Sequence, residues 1–261
     1  KTDRLKIIFL LCSLWLVFPC FCLAAKGKDF VVVIDPGHGG HDPGAIADVE
    51  KKKYQSERAL KVGQLIQNNC NDVKVIYTRK TDVFIPLDRR AQIANNAKAD
   101  LFISIHTNSV ARSRTVRGAE TYTLGLHRTE ENLEVAKKEN SVILIEDNYE
   151  QRYAGFNPNS SESYIILNLY KTKYGEECKI SHSYPKQFKN TAKRIDKGVH
   201  QAGFLVLRAT SMPSVLVELG YISTPDEEQY PLSDAALRRY LTAFIKHSSI
   251  TSANMTPPSA A

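Results

Sequence analysis

The 261-residue chain is poor in cysteine, with five in all, and three of these (Cys12, Cys20, Cys22) fall in its first 24 positions. Only Cys70 and Cys178 remain beyond them, too few for a disulfide-dense scaffold. Whether those two thiols pair is open to either answer. The 13 glycines cannot occupy every third position, which excludes a collagen-like repeat. Beyond residue 25 no run is long and apolar enough to cross a bilayer. The net charge of +7 is scattered, without the concentrated basic stripe of a nucleic-acid-binding surface. No internal repeat is visible. A hydrophobic fraction of 43% excludes a disordered chain.

What is present begins with an address. Lys1, Arg4 and Lys6 precede an uncharged apolar run from Ile7 to Ala25, which ends in small residues and a polar KGKD. That is the pattern of a secretory signal over residues 1–25, cut near Ala24 or Ala25. It predicts an exported protein of the periplasm or cell envelope, with no membrane contact once the signal is removed. A retained anchor is the alternative.

After the signal, short β-branched runs alternate with helical patterns. Phe30–Ile34, Val73–Tyr77, Leu101–Ile105 and Ser214–Leu219 read as buried strands, with Ala119–Leu124 and Phe204–Leu207 as shorter candidates. Tyr54–Gln67 and Leu87–Ala97 read as helices. Phe188, Ala192, Ile195 and Val199 mark one further helical face, and Ala235–His247 another. Alternation of this kind predicts a single α/β domain over 29–247, a mostly parallel or mixed twisted sheet flanked by helices. The polar stretch at about 130–186 reads as a helical insertion, and 248–261 as a disordered tail.

Three segments carry chemistry. IDPGHGGHDPGA (Ile34 to Ala45) ends a strand in a glycine-rich turn that presents Asp35 and His38. A phosphate loop is excluded because no Lys-Ser/Thr follows the glycines. LFISIHTNS places His106 directly after a second buried strand, and MPSVLVELGYIST ends a third at Glu218. Residues just past parallel strand ends line one crevice, so the two histidines can share a metal. A buried carboxylate such as Glu218 is costly unless paired or metal-linked. Catalytic zinc takes three protein ligands and an open position. Glu50 and Glu57, near the start of the first long helix, are the candidates for the third.

Together these segments resemble zinc-dependent N-acetylmuramoyl-L-alanine amidases of the AmiC-like family, over most of 29 to about 244. The resemblance implies Zn²⁺ as cofactor, with His38 and His106 as ligands and Glu218 as the catalytic carboxylate. The family's third ligand is a glutamate at the start of the first helix. Glu50 stands one residue early of that position and is preferred here, with Glu57 as the alternative. The implied activity is hydrolysis of the amide between N-acetylmuramic acid and L-alanine of peptidoglycan. Peptidoglycan is then the partner, and the resemblance leaves room for a protein activator. Some cell-separation amidases are held off by a helix whose glutamate caps the zinc, and Glu146 or Asp147 of the insertion could act likewise. Two other readings stand beside this one: a zinc peptidase acting within the stem peptide, and a catalytically impaired wall-binding or regulatory homologue.

Overall fold

A computed structural model describes residues 29–42, 44, 49–70, 72–110, 113–169 and 195–225, with the side chains of 49–55, 168–169 and 196 set apart. The signal segment, Cys178, the Ala235–His247 helix and the 248–261 tail lie outside the described residues. Six strands form one sheet in the order β2-β1-β3-β6-β4-β5. They are β1 (Phe30–Pro36), β2 (Val73–Tyr77), β3 (Leu101–Asn108), β4 (Ala119–Leu124), β5 (Asp196–Ala202) and β6 (Ser214–Tyr221). β1, β2, β3 and β6 run parallel; β4 pairs antiparallel to β6, and β5 parallel to β4.

The parallel strands are apolar on both sides because both faces are covered. Side chains alternate across a strand, so Val32 and Ile34 join one core while Val31 and Val33 join the other. The first core packs against Ala59, Val62 and Ile66 of α1 (Val49–Asn69). The second packs against Leu87 and Ala94 of α2 (Leu87–Asn96), and against the insertion. That insertion is helical as far as it is described: α3 (Glu130–Asn140), a 3₁₀ turn (Ser141–Ile145), α4 (Tyr149–Arg152) and α5 (Ser161–Leu169). α3 starts where Thr129 Oγ1 accepts from the Asn132 N–H at 3.3 Å. Glu130 and Glu131 in its first turn and Lys137 and Lys138 in its last oppose the helix dipole favourably.

Two expectations are corrected. Phe204–Leu207 is not a strand; Leu205–Arg208 form a short helix, α6. Four apolar residues in a row do not distinguish the two by periodicity, and the Leu205 N–H is taken by Asn140 Oδ1 at 2.9 Å rather than by a strand. The helical face expected through Ile195 and Val199 is also absent there. Ile195 is exposed, and Val199 lies in β5 paired with Thr121.

Candidate metal centre

The parallel strands end on one side of the sheet, and β1 and β3 bring their histidines together there. The His38 and His106 rings lie edge to face with centroids 4.8 Å apart. His38 holds a left-handed φ of 54°, strained for a non-glycine residue. Two buried arginines pin the loop in that shape. Arg79 Nε donates to Pro36 O at 3.0 Å, and its guanidinium also reaches Gly37 O. Arg90 donates to Pro36 O at 3.0 Å and to His38 O at 2.9 Å. Asp35 does not face the crevice chemistry. It is fully buried and accepts from Thr78 Oγ1 (2.6 Å), Ser104 Oγ (2.7 Å) and Arg90 (3.2 Å), tying β1, β3 and α2 into one frame. Gly37 is required by contact: a Cβ there would sit 2.6 Å from the His106 ring.

The hydrogen bonds fix which ring nitrogen faces the centre. Ser104 spends its one hydroxyl proton on Asp35, so at 3.1 Å it accepts from His106 Nε2–H. His106 Nδ1 is then the lone-pair nitrogen. His38 Nδ1 donates to Asp42 Oδ2 at 3.0 Å, which leaves Nε2 turned inward. Outer partners that orient imidazoles in this way are the usual support of metal-binding histidines.

Both inward nitrogens meet the same atom. Glu139 Oε2, from the last turn of α3, lies 3.1 Å from His38 Nε2 and 3.0 Å from His106 Nδ1. These three atoms are buried and none makes a hydrogen bond of normal geometry. Two imidazole nitrogens and a carboxylate oxygen within 4.8 Å of one another suit a zinc-type ion. Burial pushes the His38 imidazole down, but Glu139 and Asp42 outweigh it and hold the group at about 10. Burial likewise pushes Glu139 up, and the two imidazoles outweigh it to hold the carboxyl well below its usual range. The void beside these groups measures only about 10 Å³, bounded by His38, Asp42, Arg90, His106 and Glu139. That is room for about one water at most, and none for a substrate.

Glu218 sits opposite His106 across the β3–β6 ladder. It is completely buried, and neither carboxylate oxygen has a hydrogen-bond partner. Burial first, and the negative charge of Glu139 second, push its carboxyl well above the ordinary range. Such a group is poised to carry a proton.

The other expected residues fall elsewhere. Glu50 lies in the first turn of α1, with its side chain outside the described set, and Glu57 is exposed to solvent. Glu146 is buried but turned away from the histidines. It accepts from Tyr153 Oη at 2.9 and 3.0 Å and pairs with Arg152 at 2.9 Å. Arg152 in turn contacts Asp88 of α2. Asp147 is exposed. The insertion glutamate that reaches the histidines is therefore Glu139. Its neighbour Asn140 locks the helix end, donating to Gly203 O at 2.7 Å and accepting from Leu205 N at 2.9 Å. The sequence did carry a signal for this residue. Leu133, Ala136 and Asn140 form the buried stripe of α3, and Glu139 stands within it as a charged residue.

A parallel-rich α/β domain with paired strand-end histidines is the frame on which hydrolytic metal centres are built, and comparison with known proteins gives the family. Residues 32–247 match the family described as N-acetylmuramoyl-L-alanine amidase. The chain is 31% identical over 214 residues to the amidase AmiC of Escherichia coli O6:H1, covering 79% of this chain and 49% of that protein. It is 31% identical over 226 residues to AmiA of Escherichia coli K12, covering 84% of this chain and 75% of that one. The catalytic domain of CwlV, the amidase of Bacillus (Paenibacillus) polymyxa var. colistinus, superposes with a TM-score of 0.56 at 26% identity, covering 82% of this chain and 93% of that domain. The chain spans about half the length of the AmiC relative. It belongs to the N-acetylmuramoyl-L-alanine amidase family.

Proposed function

We propose that this chain is an exported, zinc-dependent peptidoglycan hydrolase whose catalytic unit spans 29–247. It cuts the amide between N-acetylmuramic acid and L-alanine, and α3 keeps it closed at rest. The observation that carries the reading is the convergence of His38 Nε2 and His106 Nδ1, each with its other nitrogen already committed, on one buried point. When bound, zinc supplies Lewis-acid polarisation of the scissile carbonyl and acidifies a water. In the working state His38, His106 and Glu50 hold the ion, Glu50 taking the role that the family resemblance gives it.

Glu218 does the proton work. Its carboxylate, raised by burial, takes the proton of the attacking water and returns it to the departing alanine nitrogen. Arg79, Arg90 and Asp35 keep the His38 loop and β3 fixed while this happens. The 10 Å³ void supports a closed resting state in which Glu139 fills the space that a carbonyl needs. A protein activator that draws α3 away would open the site. The apolar run of residues 7–25 supports export to the periplasm or cell envelope. Among the described residues no helix is long and apolar enough to cross a membrane.

The test is digestion of purified sacculi with the zinc-loaded protein, followed by mass analysis. Release of stem peptide with a free L-alanine amino terminus is expected. Fragments cut inside the stem peptide would replace this reading with the peptidase one.

A further inference from the structure

A second constellation, which the hydrolytic mechanism leaves unused, lies beside Glu218. Across the antiparallel ladder Glu218 faces Glu120 of β4, and β5 follows next in the sheet with Lys197 near its start. The strands thus set His106, Glu218, Glu120 and Lys197 in one row across the sheet end. Glu120 is buried and receives Tyr122 Oη at 2.7 Å, Asn108 Nδ2 at 3.5 Å, Lys197 Nζ at 2.9 Å and a close contact from Tyr221 Oη. Burial pushes this carboxyl up, but its donors outweigh that and hold it low. Its acceptor sites are taken up within the protein, so it positions its neighbours rather than receiving a ligand.

Lys197 is the neighbour that faces outward. Nζ also donates to Tyr221 Oη at 2.7 Å and lies 4.8 Å from the centre of that ring. Two of its three N–H groups are used in this way, and its side chain keeps 35% of its surface exposed. It lines a cavity of about 690 Å³ between the sheet end and α3, with Lys138, Glu131 and Glu134 also on the wall. That volume is typical of small-molecule sites, and it stays open while the histidine centre is closed.

We propose that this cavity is a subsite for a carboxylate on the peptide arm of the substrate, received by Lys197. The inference rests on the function proposed above, because it takes its direction from Glu218. The group that returns a proton to the leaving nitrogen must stand on the leaving side of the scissile bond. The departing peptide therefore extends past Glu218, along the row toward Glu120 and Lys197. An ammonium held by a buried carboxylate and a tyrosine is a fixed, directional donor for a carboxylate.

The experiment is isothermal titration of the full chain with L-alanyl-γ-D-glutamate and with its fully amidated counterpart. The acid is expected to bind about tenfold tighter or more, the usual weight of a charge-assisted hydrogen bond. Lys197→Met erases that preference, and Lys197→Arg, which keeps the charge, retains it. Equal binding of acid and amide by the wild type, or a preference undiminished in Lys197→Met, overturns the subsite. Preferential binding of the acid by a protein that releases nothing from sacculi leaves the subsite standing and removes the amidase reading instead.

Discussion

Replacing Glu139 by alanine removes the single oxygen on which both imidazoles converge. What is lost is the attraction of one buried carboxylate, 3.1 Å from His38 Nε2 and 3.0 Å from His106 Nδ1, for the cationic centre it caps, on the order of 1.5–7 kcal/mol for a close charge pair. Withdrawing a carboxylate from water costs several kcal/mol and offsets much of that gain. A net hold of about 2–3 kcal/mol on the closed position is left, which at about 1.4 kcal/mol per decade is a 30- to 150-fold change in the open fraction. The assay is release of dye from labelled sacculi by the zinc-loaded protein, with no other protein added. The Glu139→Ala rate is expected to exceed wild type by tens of fold, with zinc content unchanged. A rate that falls together with loss of zinc would make Glu139 a working ligand and refute the stopper. An unchanged rate would show that α3 is not the block.

Glu218→Gln is expected to lower turnover on sacculi by about 10²- to 10⁴-fold. Its melting temperature stays level or rises, because the carboxylate it replaces has no hydrogen-bond partner; near-wild-type turnover would take Glu218 out of the chemistry. Gly37→Ala drives a Cβ into the His106 ring and is expected to cost roughly 1–3 kcal/mol of stability. Zinc titration of that variant reads whether the ring has moved, and unchanged affinity would contradict the contact. Glu146 gives a pH signature, since burial raises its carboxyl above the ordinary range. A raised group binds its proton more tightly in the folded state, so stability is lost as pH climbs from the unfolded value through the folded one. Chemical denaturation from pH 4 to 7 is expected to move the difference between Glu146→Gln and wild type in favour of the variant. A flat difference would rule out the burial effect.

The frame was legible because it is local. FVVVI, VKVIY, LFISI and SVLVEL all form strands; VKVIY keeps the bounds read from the sequence, and the structure lengthens the other three. That His38 and His106 meet was legible because strand ends in a parallel sheet share one crevice, and that Glu218 lies buried beside them was legible from the apolar strand it ends. Glu139 was not. It reaches the histidines through the packing of an insertion whose local sequence is polar, and its place in the α3 stripe has meaning only once that stripe is known to be buried. The same holds for Asp42 and Ser104, ordinary turn and strand residues until each is seen to fix an imidazole nitrogen. Phe204–Leu207 shows the converse limit: a short apolar run records burial and not conformation. Glu146, chosen for its acidity within the insertion, serves as the anchor of Arg152 instead.

α3 begins only Gly125 to Thr129 beyond the end of β4, and that strand is paired into the sheet. A link of that length spans roughly 17 Å when taut. Once displaced, the helix therefore stays leashed near its seat at a high effective concentration. On the function proposed above, shut-off would need no second molecule, only departure of whatever held the helix out, and activity would follow that agent's residence time.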